Sequence, residues 1–178
     1  EMPLALYASK SLNVTSLNRL LALLKTKPDA YNFASAGNGT LAHIEAAIFQ
    51  RETGTSLIHI PYQGSAPAMI DIIADRAQLI VESVAVGAPY VKAGQIVPIL
   101  VTQKSRDEGF TAIPTVVEAG LPALKLEPWN VFFAPAATDK SVIGELNAHL
   151  TAVINSPAAS DWLKRHAASA ILSNSELF

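Results

Sequence analysis

Short apolar runs alternate with helical periods along most of the chain. Pro3–Ala8 reads as a strand. Thr15 or Ser16 caps a helix whose Leu17, Leu20, Leu21 and Leu24 recur at helical spacing, and Pro28-Asp29 ends it. Ala30–Ser35 is a second strand, Ser35–Thr40 a loop, and Thr40 to Arg51 a helix that Gly54 closes. Ser56–Ile60 is a strand, Pro61–Ser65 a loop, and Ala66–Ala74 a helix with Pro67 in its first turn, where proline is tolerated. Gln78–Glu82 is a strand, followed by a short helix, Val84–Lys92, interrupted near Pro89 and stopped at Gly94. Ile96–Thr102 contains Pro98, which marks an edge or irregular strand. Lys104–Thr115 is a polar loop, and Val116–Ala119 a helical turn ended by Gly120-Leu121-Pro122. Leu124–Leu126 and Asn130–Ala134 are extended. Thr138 or Asp139 caps the longest helix, Lys140–Asn155, and Pro157 starts another that reaches Ala167. Strands alternating with helices predict βαβ units, a largely parallel sheet and right-handed crossovers.

Composition narrows the function. Half of the 178 residues are hydrophobic and 16% are charged, so the chain can build a core. The formal net charge of −2 gives no basic surplus to hold a phosphate backbone, so nucleic acid is not an expected partner. The absence of cysteine removes thiol catalysis, cysteine-ligated zinc and disulfides. No stretch of about 18 apolar residues occurs. The N-terminus, Glu1-Met2-Pro3-Leu4-Ala5-Leu6, shows no signal-peptide pattern and enters a strand at once. Ser175-Glu176-Leu177-Phe178 reads as the first turn of a helix, so both ends look cut from a longer chain.

In an open α/β sheet, ligands bind beyond the carboxyl ends of the strands. Three such ends stand out. In Ser35-Ala36-Gly37-Asn38-Gly39-Thr40, two glycines permit a sharp turn and close backbone approach, and Thr40 is placed to cap the next helix. Free N–H groups at that helix start suit an anion. In Pro61-Tyr62-Gln63-Gly64-Ser65-Ala66-Pro67, Tyr62 offers a flat face and a hydroxyl, and Gln63 and Ser65 offer polar ends. In Glu82-Ser83-Val84-Ala85, Ser83 either caps a helix or meets a ligand. None of these loops contains Lys or Arg, so an anion there would be held by N–H groups, hydroxyls and helix dipoles.

Other chemistries fit less well. Gly37-Asn38-Gly39-Thr40-Leu41-Ala42 formally matches the dinucleotide fingerprint, but the next strand ends at His59-Ile60 without the required acid. There is no G-K-[ST] P-loop and no G-x-S-x-G elbow. His43 and Glu45 are wrongly spaced to share a helical face; His59 reads as a hydrogen-bonded structural residue, and His149 and His166 as surface. Trp162 reads as packing for the last helix, and Trp129 as packing first and ligand wall second. Neither a metal site, a catalytic triad nor a cofactor is expected.

Several segments resemble the Bug family, the periplasmic receptors of tripartite tricarboxylate transporters. Tyr31-Asn32-Phe33-Ala34-Ser35-Ala36-Gly37-Asn38-Gly39-Thr40, with His43 three positions on, is similar to one family segment. His59-Ile60-Pro61-Tyr62-Gln63-Gly64-Ser65-Ala66-Pro67-Ala68 with Asp71 is similar to a second, and Ile113–Pro122 to a third. Phe133-Ala134-Pro135-Ala136-Ala137-Thr138, with Glu145-Leu146-Asn147 in the helix after it, is similar to a fourth. The similarity covers essentially the whole chain, and the motifs fall in family order.

The resemblance implies a type II periplasmic binding-protein-like fold: α/β lobes with a mostly parallel sheet flanked by helices, ligand in the cleft, and hinge closure. It implies a non-enzymatic, periplasmic receptor for a small carboxylate: a di- or tricarboxylate, an acidic amino acid or an aromatic acid. Membrane transporter subunits are its implied partners. It places ligand contacts at Ser35, Ala36, Gly37, Asn38, Gly39, Thr40, His43, Tyr62, Gly64, Ser65, Ala66 and Pro67, and at Ser83. Residues 1–128 would then be the second lobe with its first crossing strand. Residues 129–178 would be the returning strand and C-terminal helices, directed toward a first-lobe segment without a counterpart here. Exposed apolar surface at that junction would suit a second copy of the chain. Where the family often has Phe-Asp-Asn and lysine, this chain has Val81-Glu82-Ser83 and Gln63, which lowers the positive potential of the site. Two other uses of the same scaffold remain open at this level: a ligand-sensing module and a dinucleotide-dependent enzyme.

Overall fold

The computed structural model describes residues 2–103, 112–126, 128–129, 131–165 and 168–170. It divides into two compact units, one of Pro3–Pro128 and one of Trp129–Phe178 with Glu1–Met2.

The larger unit is built on a five-stranded sheet. Its strands are β1 (Leu4–Ser9), β2 (Asn32–Ser35), β3 (Ile58–Pro61), β4 (Leu79–Ser83) and β5 (Ile96–Val101), in the spatial order β3-β2-β4-β1-β5. β2 runs parallel to β3 and β4, whereas β1 lies antiparallel between β4 and β5. Four strands therefore share one direction, in keeping with the mostly parallel sheet read from the sequence. The exception is the first strand, and local pattern does not encode its direction.

Both faces of the sheet are covered, which explains why all six residues of β1 are buried. Leu4, Leu6 and Ala8 join a core cluster with Leu17, Leu20 and Leu24 of α1 (Leu17–Thr26) and with Ala46 and Phe49 of α2 (Leu41–Thr53). The alternate residue, Tyr7, turns to the other face and meets Gly87 of α4 (Val84–Lys92). Ala68, Met69 and Ile72 of α3 (Ser65–Ile73) are also buried. β5 is an edge strand, as Pro98 requires. Leu6 pairs with Leu100 but Tyr7 pairs with Pro98, so Ile99 is the extra residue of a bulge.

The helix starts and stops follow local chemistry. Ser16, not Thr15, caps α1 by accepting the Arg19 N–H. Gly54 closes α2 in the left-handed conformation at φ 64°. Two expectations are corrected. α4 runs without a break through Pro89, whose ring removes only the bond to the Ala85 carbonyl, and the Ala93 N–H donates to the Pro89 carbonyl beyond it. Leu124, expected to begin the extended run Leu124–Leu126, instead closes a 3-10 turn, Pro122–Leu124, because Pro122 fits its first position and the Leu124 N–H returns to the Leu121 carbonyl.

The smaller unit contains α5 (Lys140–Ile154) and α6 (Pro157–Arg165). Asp139 holds the N-cap position of α5 without a side-chain bond, and the Ser156 hydroxyl accepts the Ala159 N–H at the start of α6. Residues 131–135 form no strand. His149 is exposed, as expected of a surface helix, and Trp129 and Trp162 also keep exposed faces. His166, Asn130, most of the Lys104–Thr115 loop and the last turn at Ser175–Phe178 lie outside the described residues. Among the described residues, no helix is long and apolar enough to cross a membrane.

Candidate functional site

The register of three adjacent strands brings two of the predicted loops together and sets the third beside them. β2 and β3 pair as far as Ser35 opposite Pro61, so both strands stop at the same level. β4 flanks β2 on the other side, with Ala34 opposite Ile80, and continues to Ser83. Three helices start there: α2 after Thr40, α3 after Gly64 and α4 after Ser83. This is the strand end at which open α/β sheets take ligands.

The first two loops are laced together by their backbones. The Tyr62 N–H donates to the Ser35 carbonyl at 2.9 Å, and the Gly64 N–H to the Ala36 carbonyl at 3.1 Å. Gly37 stands at φ 142°, and a Cβ there would make ordinary contact, 3.4 Å, with the Tyr62 carbonyl oxygen of the second loop. Glycine answers this positive φ, which side-chain-bearing residues rarely adopt. Asn38 and Gly39 remain exposed at the tip, and Ala36 is half-buried below them.

Ser35 is fully buried under the loop. Its Oγ lies 2.6 Å from His59 Nε2, 3.0 Å from the Gly37 carbonyl and 3.2 Å from the Gly37 N–H. One proton arrangement satisfies all three contacts. His59 donates from Nε2, Ser35 donates to the Gly37 carbonyl, and Ser35 accepts the Gly37 N–H. The buried serine hydroxyl thus shapes the loop.

Thr40 departs from expectation. Its hydroxyl donates to the Gly37 carbonyl at 2.7 Å and does not cap α2, because that carbonyl stands closer than the N–H groups of the next turn. No side chain caps α3 either, since its N-cap is Gly64 at φ 108°. Ser65, Ala66 and Pro67 form the first turn of α3. Two neighbouring helix starts therefore keep N–H groups without side-chain acceptors, and their dipoles add positive potential. α4 differs: Ser83 caps it by accepting the Val86 N–H at 3.3 Å, and Glu82 accepts the Ser83 N–H at 2.7 Å. Of the two roles open to Ser83, the structure shows the cap.

The Tyr62 hydroxyl is committed as well. It donates to Asp71 Oδ2 at 2.7 Å, and Asp71 Oδ1 is paired with Arg76. Burial, then the bond and charge of Asp71, push the Tyr62 phenol up to about 12. Arg76 first, then Tyr62, hold the Asp71 carboxyl below its usual range. The ring face of Tyr62 is left as its contribution to a site. Gln63 is exposed.

His43 joins the loop from the first turn of α2. Its Nδ1 accepts the Gly39 N–H at 3.1 Å, and its ring stacks on that of His59 with centroids 4.0 Å apart and planes 6° from parallel. Burial, then the neighbouring His43, lower the pKa of His59. Sequence reasoning left His59 out of the site. The available signal was that a strand end beside Ser35 carries an imidazole. Glu45 was also missed: it precedes Phe49 by four residues and so falls on the apolar side of α2, where it is 1% exposed. Among the described residues no group of His, Asp and Glu is arranged to hold a metal ion.

Comparison with known proteins gives this geometry a context. The family model described as "Tripartite tricarboxylate transporter family receptor" matches residues 1–176. Protein BugT of Bordetella pertussis is 29% identical over 172 residues, which are 97% of this chain and 53% of that protein. The solved R. palustris protein Rpa4515 with adipate is 29% identical, with a TM-score of 0.84 over 92% of this chain and 55% of its own. The periplasmic binding protein BugD is 25% identical, with a TM-score of 0.83 over the same shares. The chain spans about half the length of the curated relatives it matches most fully.

Proposed function

The chain belongs to the receptor family of the tripartite tricarboxylate transporters, and from that premise we propose that it captures a small carboxylate outside the cytoplasm for delivery to membrane transporter subunits. Capture is non-covalent and leaves the solute unchanged. The observation that carries the reading is the pair of uncapped helix starts, α2 and α3, on interlaced loops without a cation. Such a surface suits a carboxylate group, whose oxygens accept N–H bonds, and it disfavours dense charge because no lysine or arginine balances it. The adipate held by a relative of 29% identity agrees with that chemistry. We assign Gly37, Asn38, Gly39, Thr40, Gly64, Ser65 and the Tyr62 ring to ligand contact.

The strength of the half-site follows from its parts. A helix start contributes roughly 0.3–1 kcal/mol to a nearby anion, and each charged hydrogen bond about 1.5–3 kcal/mol. Three or four contacts give on the order of 5–10 kcal/mol, from which association removes at least about 4 kcal/mol. The remainder, roughly 1–6 kcal/mol, centres on millimolar affinity for this chain by itself.

Titration of the ¹⁵N-labelled protein with adipate, citrate, glutamate and NAD tests the reading. Amide shifts at Gly37, Gly39, Thr40, Gly64 and Ser65 with a carboxylate are expected. Shifts with NAD alone would replace it by nucleotide binding. Gly37→Ala is expected to weaken adipate binding at least about tenfold, because alanine at φ 142° stores about 1–3 kcal/mol of backbone strain that the loop relieves by changing shape. Unchanged affinity in that variant would remove the loop from the site.

A further inference from the structure

We propose that His43 is a proton-dependent gate on the carboxylate site: its neutral ring occupies the Gly39 N–H, and protonation releases that N–H to the ligand while placing a cation beside it. The inference rests on the carboxylate reading above and adds the means by which the site is regulated.

The geometry carries it in three steps. First, an imidazole nitrogen that accepts an N–H bond is unprotonated, so the contact from Gly39 to Nδ1 at 3.1 Å exists only while His43 is neutral. The acceptor comes from within the site and uses one of the donors that a carboxylate needs. Second, a proton on Nδ1 turns acceptor into donor, and the Gly39 N–H then faces a like group and loses its partner. A carboxylate oxygen between them restores both bonds, one from Gly39 and one charge-assisted from the imidazolium. Third, the loop keeps its shape during the exchange. Its bend is held independently by the Thr40 hydroxyl and N–H on the Gly37 carbonyl and by Ser35 on both polar groups of Gly37.

The stacked partner limits the device to one proton. With centroids 4.0 Å apart, a second imidazolium on His59 would repel the first, and His59 Nε2 is engaged with Ser35. The other titratable groups on the surrounding elements do not supply a competing charge. Glu45 lies buried on the sheet side of α2, and burial raises its pKa to about 8, so it gains charge only at the upper end of the range tested. Asp71 and Arg76 of α3 are paired with each other, and Tyr62 is bonded to Asp71. Glu82 at the end of β4 accepts the N–H of Ser83. With no lysine or arginine in the three loops, the imidazolium is the positive charge that proton uptake adds to the site.

Linkage fixes the sign. If binding takes up one proton, carboxylate affinity falls as pH rises, by a factor approaching about tenfold per pH unit where the ligand-free ring is neutral. The test has two arms. In the ligand-free protein, the Gly39 amide resonance is followed from about pH 5 to about pH 8; it should titrate together with the His43 ring and lie still in His43→Gln. Adipate affinity is then measured by amide shifts at about pH 6, 7 and 8 in the parent, His43→Gln and His59→Phe. The expected result is a steep loss of affinity with pH in the parent and in His59→Phe, which keeps a stacking ring, and a flat profile in His43→Gln. Ionisation of adipate itself is common to all three proteins and cancels. Adipate binding with the same pH profile in His43→Gln overturns the gate and leaves the carboxylate reading standing. Absence of binding by every carboxylate at every pH overturns that reading and the coupling together, while a Gly39 titration in the first arm would still identify the His43 contact.

Discussion

Replacing Glu45 with leucine is expected to raise the unfolding free energy by about 3 kcal/mol at neutral pH and by about 5 kcal/mol above pH 8. Glu45 sits between α2 and the sheet at 1% exposure, and neither carboxyl oxygen has a hydrogen-bond partner. It lines a cavity of about 10 Å³ with Leu6, Phe49, Val81, Leu100, Thr102, Val116 and Leu124, which is too small for a counter-ion. Burial raises its pKa from 4.5 to about 8. At about 1.4 kcal/mol per pH unit, that interval gives the upper figure, and the part lying below pH 7 gives the lower one.

The direction follows from the protonated form. A carboxyl with a raised folded pKa is most compatible with the fold below its unfolded pKa, and that compatibility is lost as pH rises through 4.5 toward about 8. Urea denaturation of the parent, Glu45→Leu and Glu45→Gln across about pH 5 to about pH 9 isolates the effect. The parent should lose stability relative to both variants through this window and then run parallel to them. The glutamine protein keeps a buried polar group without a partner, so it should be less stable than the leucine protein at every pH. Curves that stay parallel throughout would show that Glu45 ionises freely in the folded chain.

Much of the larger unit is written locally, and the remainder depends on which distant segments become neighbours. Ser16, Gly54 and Pro98 announce a cap, a stop and an edge strand by chemistry confined to a few residues, so their roles are legible before folding. The loops at Ser35–Thr40 and Pro61–Pro67 are legible for the same reason: glycines and short polar side chains at strand ends have few other uses. Thr40 was not legible in detail, since a threonine before a helix can turn its hydroxyl forward to cap or backward to the Gly37 carbonyl. Both arrangements share one sequence. His43 and His59 stack because α2 returns the chain so that β3 lies alongside β2, and no local window contains both residues. The antiparallel direction of β1 is of the same kind: its pattern of buried residues is identical in either direction. Glu45 shows how a spacing rule can be applied only halfway. The spacing that separates it from His43 on α2 also places it over Phe49 and against the sheet.

Gly87→Ala is expected to destabilise the protein by about 3 kcal/mol, although alanine at an exposed helical position would instead stabilise by about 1 kcal/mol. A Cβ on Gly87 would lie 2.2 Å from Tyr7 Cζ and 2.3 Å from its hydroxyl oxygen. No rotamer change relieves this overlap, because the clashing atoms belong to a rigid ring that is completely buried on β1, an interior strand between β4 and β5. α4 must therefore move away from the sheet or Tyr7 must leave its place. Either response opens the core beside the Tyr7 hydroxyl, which already has no hydrogen-bond partner. It also shifts Ser83 and the start of α4 at the edge of the candidate site. Urea denaturation of Gly87→Ala, Tyr7→Leu and the double variant measures the coupling. The smaller leucine makes room for the methyl group, so the double variant should be at least about 1 kcal/mol more stable than the sum of the single changes implies. Simple additivity would mean that the ring and the helix do not meet, and it would remove the contact that sets α4 against β1.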